Sequence, residues 1–595
     1  MDKYRFDFTR NFFSSLEAEK AELAYYDEAM RELENLKGEI NSSAACLLRA
    51  LQIYDRVLVE FQRHYTYHYL RVAVDTRNAA SKAEYSRLEE EFTKRTLFLR
   101  AELMQTSPTD LDRFLGQLPE LGVYRFAIES AQRYRPYTLS LEIEKLIGSL
   151  LPLTTYWEYD LYDTLLKRTD FGNVRTPDGV LDVFRQRATI ASHPDGSVRR
   201  AGFKKLYAGY WSQRDLYALA LINLVKARNR LAQLHHFEDA PSEVYFASDW
   251  SKHQVTELLE QIRQRSEIYR CYQRLRRAHT QKKLGLKHAR LWDITARGPG
   301  EPFLHLTIER AIDTIREATA ALGSEYSNEL ASLLDPANGR MDILPGSHRK
   351  PGGFSKGFPG IPTVFYSSSF EGQYNDVRVL MHESTHAVHR QLMNNHHVLP
   401  VYAEGPHFLF ESFAIFNELL LADYLYKHET DTGLKQYYLE QFFDGKGMAL
   451  FFIAQDAALE QAIYEEVEQG RVVSADDLDQ LTKRVFREFD IWTDKHDELK
   501  MRWITNRLFY EDPLYNINYV YGSLLALKYY QVYQKAPEAF AASYIAYLSN
   551  GFIAPPDVLL DQYFSINLRD PHLIHEVVQF LGDRVGLLEQ EYTGR

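Results

Sequence analysis

The chain has 595 residues, 45% hydrophobic and 26% charged, with a formal net charge of −12 and two cysteines, Cys46 and Cys271. That length can bury a large core, in one big domain or several smaller ones, and the acidic balance argues against a broad nucleic-acid surface. Two distant cysteines leave no disulfide framework and no cysteine zinc site, which suits a reducing, cytoplasmic compartment.

The opening Met1-Asp-Lys-Tyr-Arg-Phe-Asp7 lacks a signal-type apolar run, and no long uncharged apolar stretch predicts a membrane span. The first 107 residues contain no proline and a single glycine, Gly38. Leu47, Leu48, Leu51, Tyr54, Val57 and Leu58 recur there at helical spacing, which predicts long antiparallel helices. Pro108, Pro119 and Pro136 punctuate shorter segments, one opening at Thr138-Leu-Ser-Leu-Glu142. Helical periodicity returns over residues 197–290 and from Ile308 to Leu334.

Between Asp335 and Phe370 turn residues alternate with short β-prone runs, which predicts a small hairpin or sheet, the one convincing β region. It leads directly into Met381-His-Glu-Ser-Thr-His386, an HExxH box in a segment without Gly or Pro until Pro400. Asn375 and Asp376 are candidate caps for this helix. Histidines four residues apart share one helix face, so His382 and His386 can hold one metal ion while Glu383 reaches a water on it. That arrangement is the signature of a zinc hydrolase with a carboxylate general base. The bland alternative, a surface helix carrying two histidines, expects polar flanks rather than Met381, Ala387 and Val388.

A catalytic zinc takes three protein ligands and leaves a position open. Candidates for the third are His389, His396, His397, Glu404, His407, Glu411 and Glu418. The apolar run from Phe408 carries Glu411 and Glu418 seven residues apart on one helix face, where acidic side chains stay buried only when paired or metal-bound. Glu418 could then support a ligand imidazole by hydrogen bonding. Salt-bridged or exposed glutamates are the plainer alternative. Helices continue to the C-terminus.

His382-Glu383-x-x-His386-x-x-His389, Phe410-Glu411-Ser412 and Asn417-Glu418 resemble the oligoendopeptidase F branch of the thimet oligopeptidase family. Pro351-Gly352-Gly353-Phe354 and Gly357-Phe-Pro-Gly-Ile-Pro362 are similar to that family's loop and strand before the zinc helix. Weaker similarity covers Val74 to Asn78, Thr138 to Ser140 and Ser192 to Ala201. The resemblance implies a mainly α, two-lobed metallopeptidase with a deep central channel and a small β-sheet next to the HExxH helix. The expected lobes are residues 1–190, helical, and 191–595, catalytic. It also implies one Zn2+ per chain on His382, His386 and Glu411, Glu383 as base, and short peptides as substrates.

The chain departs from the family pattern twice. Thr385 stands where the family has glycine, which predicts closer packing around an intact site. In Asp512-Pro-Leu-Tyr515-Asn-Ile-Asn-Tyr519-Val-Tyr521 the family histidine is missing near Leu514. Tyr519 or Tyr521 is expected to bind the oxyanion, with aromatic core packing as the alternative. Gly352, Gly353, Phe354 and Tyr515 are expected to contact substrate, and His389 to be supporting or structural. Two rivals remain: a carboxypeptidase gripping a free carboxylate with Arg349 or Lys350, and a helical peptide-binding protein without turnover.

Overall fold

The proline-free opening forms helices Leu16–Glu34, Ala44–Val74 and Ala79–Gln105 in the computed structural model, which describes residues 2–154, 157–177, 179–298 and 305–594. Each helix starts at a polar cap: Ser15, Ser43 and Asn78 accept the N–H groups of Ala18, Cys46 and Ser81. Their apolar stripes, including Met30, Leu33, Leu47, Leu51, Val57 and Leu99, meet in one buried cluster. Leu399 and Val401 pack against it from far along the chain.

By compactness the described chain divides into two units of three segments each. One gathers Met1–Thr138, Leu304–Tyr424 and Tyr529–Leu568; the other gathers Leu139–Phe303, Leu425–Lys528 and Arg569–Arg595. This division differs from a single cut at residue 190. Helix Ala44–Val74 packs on sheet strands some 300 residues later, and such long-range burial leaves no local mark at a boundary.

The second unit is built of helices such as Gly196–Ser212, Arg214–Leu234, Lys252–Gln264 and Ala449–Glu468, around buried tyrosines. Tyr162 stacks on Tyr510 with centroids 4.3 Å apart. It also holds a hairpin, β1 (Asn173–Thr176) and β2 (Gly179–Asp182), that the sequence reading did not predict. The signal was there: Pro177-Asp178-Gly179 between short β-prone runs is a turn sequence, and Gly179 has φ 143°.

The first unit holds the expected sheet, with β3 (Met341–Asp342), β4 (Gly353–Phe358) and β5 (Ile361–Ser367) in the order β3-β5-β4. Strand β4 is antiparallel to β5, pairing Phe354 with Tyr366 and Lys356 with Val364, with a bulge between Lys356 and Phe358. Gly360, at φ 83°, makes the tight turn between them. Central β5 is buried, and β4 lies at the edge. No helix among the described residues is long and apolar enough to cross a membrane.

Candidate metal centre

The HExxH helix spans Tyr374–Asn395. Its cap is Gln373 rather than Asn375 or Asp376. Asp376 closes a capping box from the third helical position, accepting the N–H groups of Glu371 and Gln373 at 2.9 and 3.0 Å. The second helix, His407–His428, brings Glu411 back beside the histidines.

His382 Nε2 lies 3.1 Å from His386 Nε2 and 3.6 Å from Glu411 Oε2. One donor atom from each of the three residues falls within 4.8 Å of the others, the one such cluster among the described residues. Tetrahedral zinc with bonds of about 2.0–2.1 Å separates its donors by roughly 3.3 Å, so these spacings suit one ion. His382 Nδ1 contacts Glu418 Oε1 at 2.6 Å, which places the ring proton there and turns the Nε2 lone pair towards the cluster. Two imidazole nitrogens and a carboxylate oxygen therefore converge, a donor set that calls for a cation.

The surroundings fix this geometry. Glu418 is 2% exposed and also accepts a hydrogen bond from Arg378 Nη1 at 2.6 Å. Burial works against protonation of His382, but Glu418, with Glu383 and Glu411, raises its pKa overall. His386 is driven well below the usual histidine range, by burial first and His382 second. Glu383 is buried against β4: a Cβ on Gly353 would sit 2.8 Å from Glu383 Oε1 and 3.0 Å from its Cγ. The strand backbone thus passes directly beside the expected base.

The profile of peptidase family M3 matches residues 189–568, and the oligopeptidase F profile matches residues 102–171. The chain belongs to peptidase family M3. Oligopeptidase PepF of Bacillus subtilis is 24% identical over 98% of this chain and 86% of its own length. An oligoendopeptidase F homolog of Borreliella burgdorferi is 23% identical over 84% of each chain. The oligoendopeptidase-F structure from Enterococcus faecium shares the fold at a TM-score of 0.69 and 20% identity, covering 97% of this chain and 99% of that one. This M3 chain is a metalloendopeptidase, and it is mainly helical as expected.

The other ligand candidates of the M3 chain lie elsewhere. His396 pairs with Glu325 at the surface, and Glu404 pairs with Arg390. His397 is exposed past the helix end, and His407 is the exposed first residue of the Glu411 helix. His389 is 2% exposed among Phe410, Phe413 and Phe552, with burial lowering its pKa to about 3. Its surroundings are those of a core residue.

Thr385 is fully buried and bonded. Its hydroxyl donates to the Met381 carbonyl at 2.8 Å and accepts from Asn417 Nδ2 at 2.7 Å; Asn417 also reaches Tyr326 Oη at 2.5 Å. This network ties the HExxH helix to the Glu411 helix. Sequence reasoning missed it, because Asn417 and Tyr326 give no local sign of a shared partner.

Phe354 stacks on Tyr366 at 4.8 Å and meets Tyr69 edge-on at 5.2 Å, packing towards helix Ala44–Val74. Gly352, at φ 92°, turns the chain into β4. Tyr515, Tyr519 and Tyr521 belong to the second unit. Tyr515 and Tyr519 are half-buried neighbours with centroids 5.2 Å apart, whereas Tyr521 is buried and stacked on Trp250 at 4.0 Å. Beside them, Leu514 takes φ 66° and donates its N–H to Glu460 at 2.5 Å.

Proposed function

We propose that this M3 peptidase is a zinc-dependent oligoendopeptidase that cuts internal bonds of short unstructured peptides with Glu383 as general base. The convergence of His382 Nε2, His386 Nε2 and a Glu411 oxygen carries the reading. Two imidazoles and a carboxylate are a donor set suited to zinc, one ion per chain. Zinc bound there supplies Lewis acidity and brings water ionisation near neutral pH. Glu383 accepts the proton of the attacking water and delivers it to the leaving amine. Glu418 holds the His382 ring, and Arg378 holds Glu418.

An extended peptide adds to the edge of β4 by backbone hydrogen bonds, with Gly352 and Gly353 keeping the strand close to Glu383. Backbone pairing reads few side chains, which favours broad specificity. Of the two tyrosines proposed for the oxyanion, Tyr521 is buried with its ring stacked on Trp250, and Tyr519 is half-buried beside Tyr515. Losing such a donor typically slows the reaction by about 10²–10³.

The carboxypeptidase alternative needs a cation for a free carboxylate one residue past the scissile bond; of its two candidates, Lys350 Nζ donates to Tyr69 Oη at 2.6 Å, and Arg349 is engaged elsewhere. Arg349 is ion-paired with Asp342 at 2.8 Å and donates to the Ser367 and Ser368 carbonyls, each at 3.0 Å. The test is Glu383→Gln with a quenched fluorogenic peptide. Hydrolysis should fall by about 10²–10⁴ while one zinc per chain is retained. An undiminished rate would remove Glu383 from the mechanism, and a wild-type protein that takes up no zinc would remove the metal reading.

A further inference from the structure

Along β4 successive side chains alternate between faces. Gly353 faces the HExxH helix, so Phe354 and Lys356 face helix Ala44–Val74. There Lys356 Nζ stands 4.9 Å from the Tyr69 ring centroid and 5.6 Å from that of Tyr65. Lys350 Nζ donates to Tyr69 Oη at 2.6 Å and lies 4.6 Å from the same ring. Arg390, from the HExxH helix, bonds the Gly357 carbonyl at 3.2 Å and Glu404 at 2.8 Å.

The charge is unbalanced. Three cations, Lys350, Lys356 and Arg390, face two carboxylates, Glu404 and Glu89, and Glu404 is engaged by Arg390. Among the described residues no carboxylate lies within ion-pair distance of Lys356. Tyrosine faces offset part of the desolvation of an ammonium, but an anion would complete it. The electrostatics agree: burial first, then Arg390, lowers the Lys356 pKa to about 8.

We propose that Lys356, between Tyr65 and Tyr69 and beside Lys350, is a carboxylate-reading subsite for the peptide lying along β4. The assignment rests on the endopeptidase reading above. Lys356 is three residues from Gly353, about 10 Å of extended strand, so it reads a residue about three positions from the scissile bond. The carboxylate belongs either to a Glu or Asp side chain or to the peptide's own C-terminus.

The experiment measures kcat/KM for octapeptides carrying Glu, Gln or Lys three positions from the cleaved bond on either side, each with a free or amidated C-terminus. On one side, Glu should exceed Gln by about tenfold or more, as expected for a charge-assisted hydrogen bond. Lys356→Met should bring that ratio to about one, and Lys356→Glu should invert it in favour of Lys. If amidation rather than the Glu-to-Gln change produces the Lys356-dependent drop, the carboxylate read is the C-terminal one. The preference should fade above pH 8, where Lys356 loses its charge; Lys350, Arg390, Glu404, Glu89, Tyr65 and Tyr69 are the other titratable groups facing it. Ratios near one for both the Glu-to-Gln and the free-to-amidated comparison, or a preference that survives Lys356→Met, would overturn the proposal. Fluorescence anisotropy with zinc-loaded Glu383→Gln reads the same ratios as affinities, so failure of this subsite is distinguishable from failure of the peptidase reading.

Discussion

Replacing Glu418 with Gln keeps the side chain's shape and removes its charge. The carboxylate serves two donors at once, His382 Nδ1 and Arg378 Nη1, each at 2.6 Å and in a position only 2% exposed. An amide has one acceptor oxygen. If it accepts from His382, its NH2 faces the Arg378 guanidinium; if it accepts from Arg378, His382 loses its acceptor. One charge-assisted bond is therefore lost, about 1.5–3 kcal/mol, which matches the roughly 10–100-fold loss of metal affinity typical of such partners. Competition with a chromophoric zinc chelator measures the affinity directly, with circular dichroism confirming the fold. Zinc binding within threefold of wild type in a folded variant would refute the reasoning, because it would mean Glu418 does not hold the ligand.

Three further substitutions probe separate links. Gly353→Val drives methyl groups into Glu383 Cγ and Oε1, at 3.0 and 2.8 Å from the Cβ position; peptide hydrolysis should fall by roughly 10²-fold with zinc content unchanged. Thr385→Val keeps the volume but strips the hydroxyl from Asn417, so urea unfolding should show a loss of about 1–3 kcal/mol. Glu19 is bonded to His64 Nδ1 at 2.7 Å and lies 3.3 Å from His68 Nε2; burial opposes its ionisation, yet these two imidazoles hold its pKa near 2 against an ordinary 4.5. That depression stabilises the folded state by about 3 kcal/mol above pH 4.5 and is lost as pH falls towards 2. Glu19→Gln should therefore lower stability at neutral pH, and the gap to wild type should narrow on acidification below pH 4.5.

Much of the candidate metal centre was legible because its chemistry is local: the spacing of His382, Glu383 and His386 puts them on one helical turn. Glu411 was one of seven candidates on residue type alone, and the family resemblance singled it out before the fold placed it. Its buried position in an apolar helix was the physical hint. The helices of the first 107 residues were equally plain, since periodicity and missing prolines act within a few turns. What escaped depends on distance along the chain. The Thr385–Asn417–Tyr326 network, the Gly353 contact with Glu383 and the tyrosine cage around Lys356 each join segments that only the fold brings together. The β1–β2 hairpin escaped for another reason, because its short strands were outweighed by the surrounding helical texture.

Mass spectrometry of a mixed-length peptide pool, incubated with the zinc-loaded protein and with Glu383→Gln as blank, tests the central claim most directly. Internal cuts in short peptides that vanish in the blank are the predicted result. Single-residue trimming from the C-terminus, or an untouched pool despite bound zinc, would contradict it.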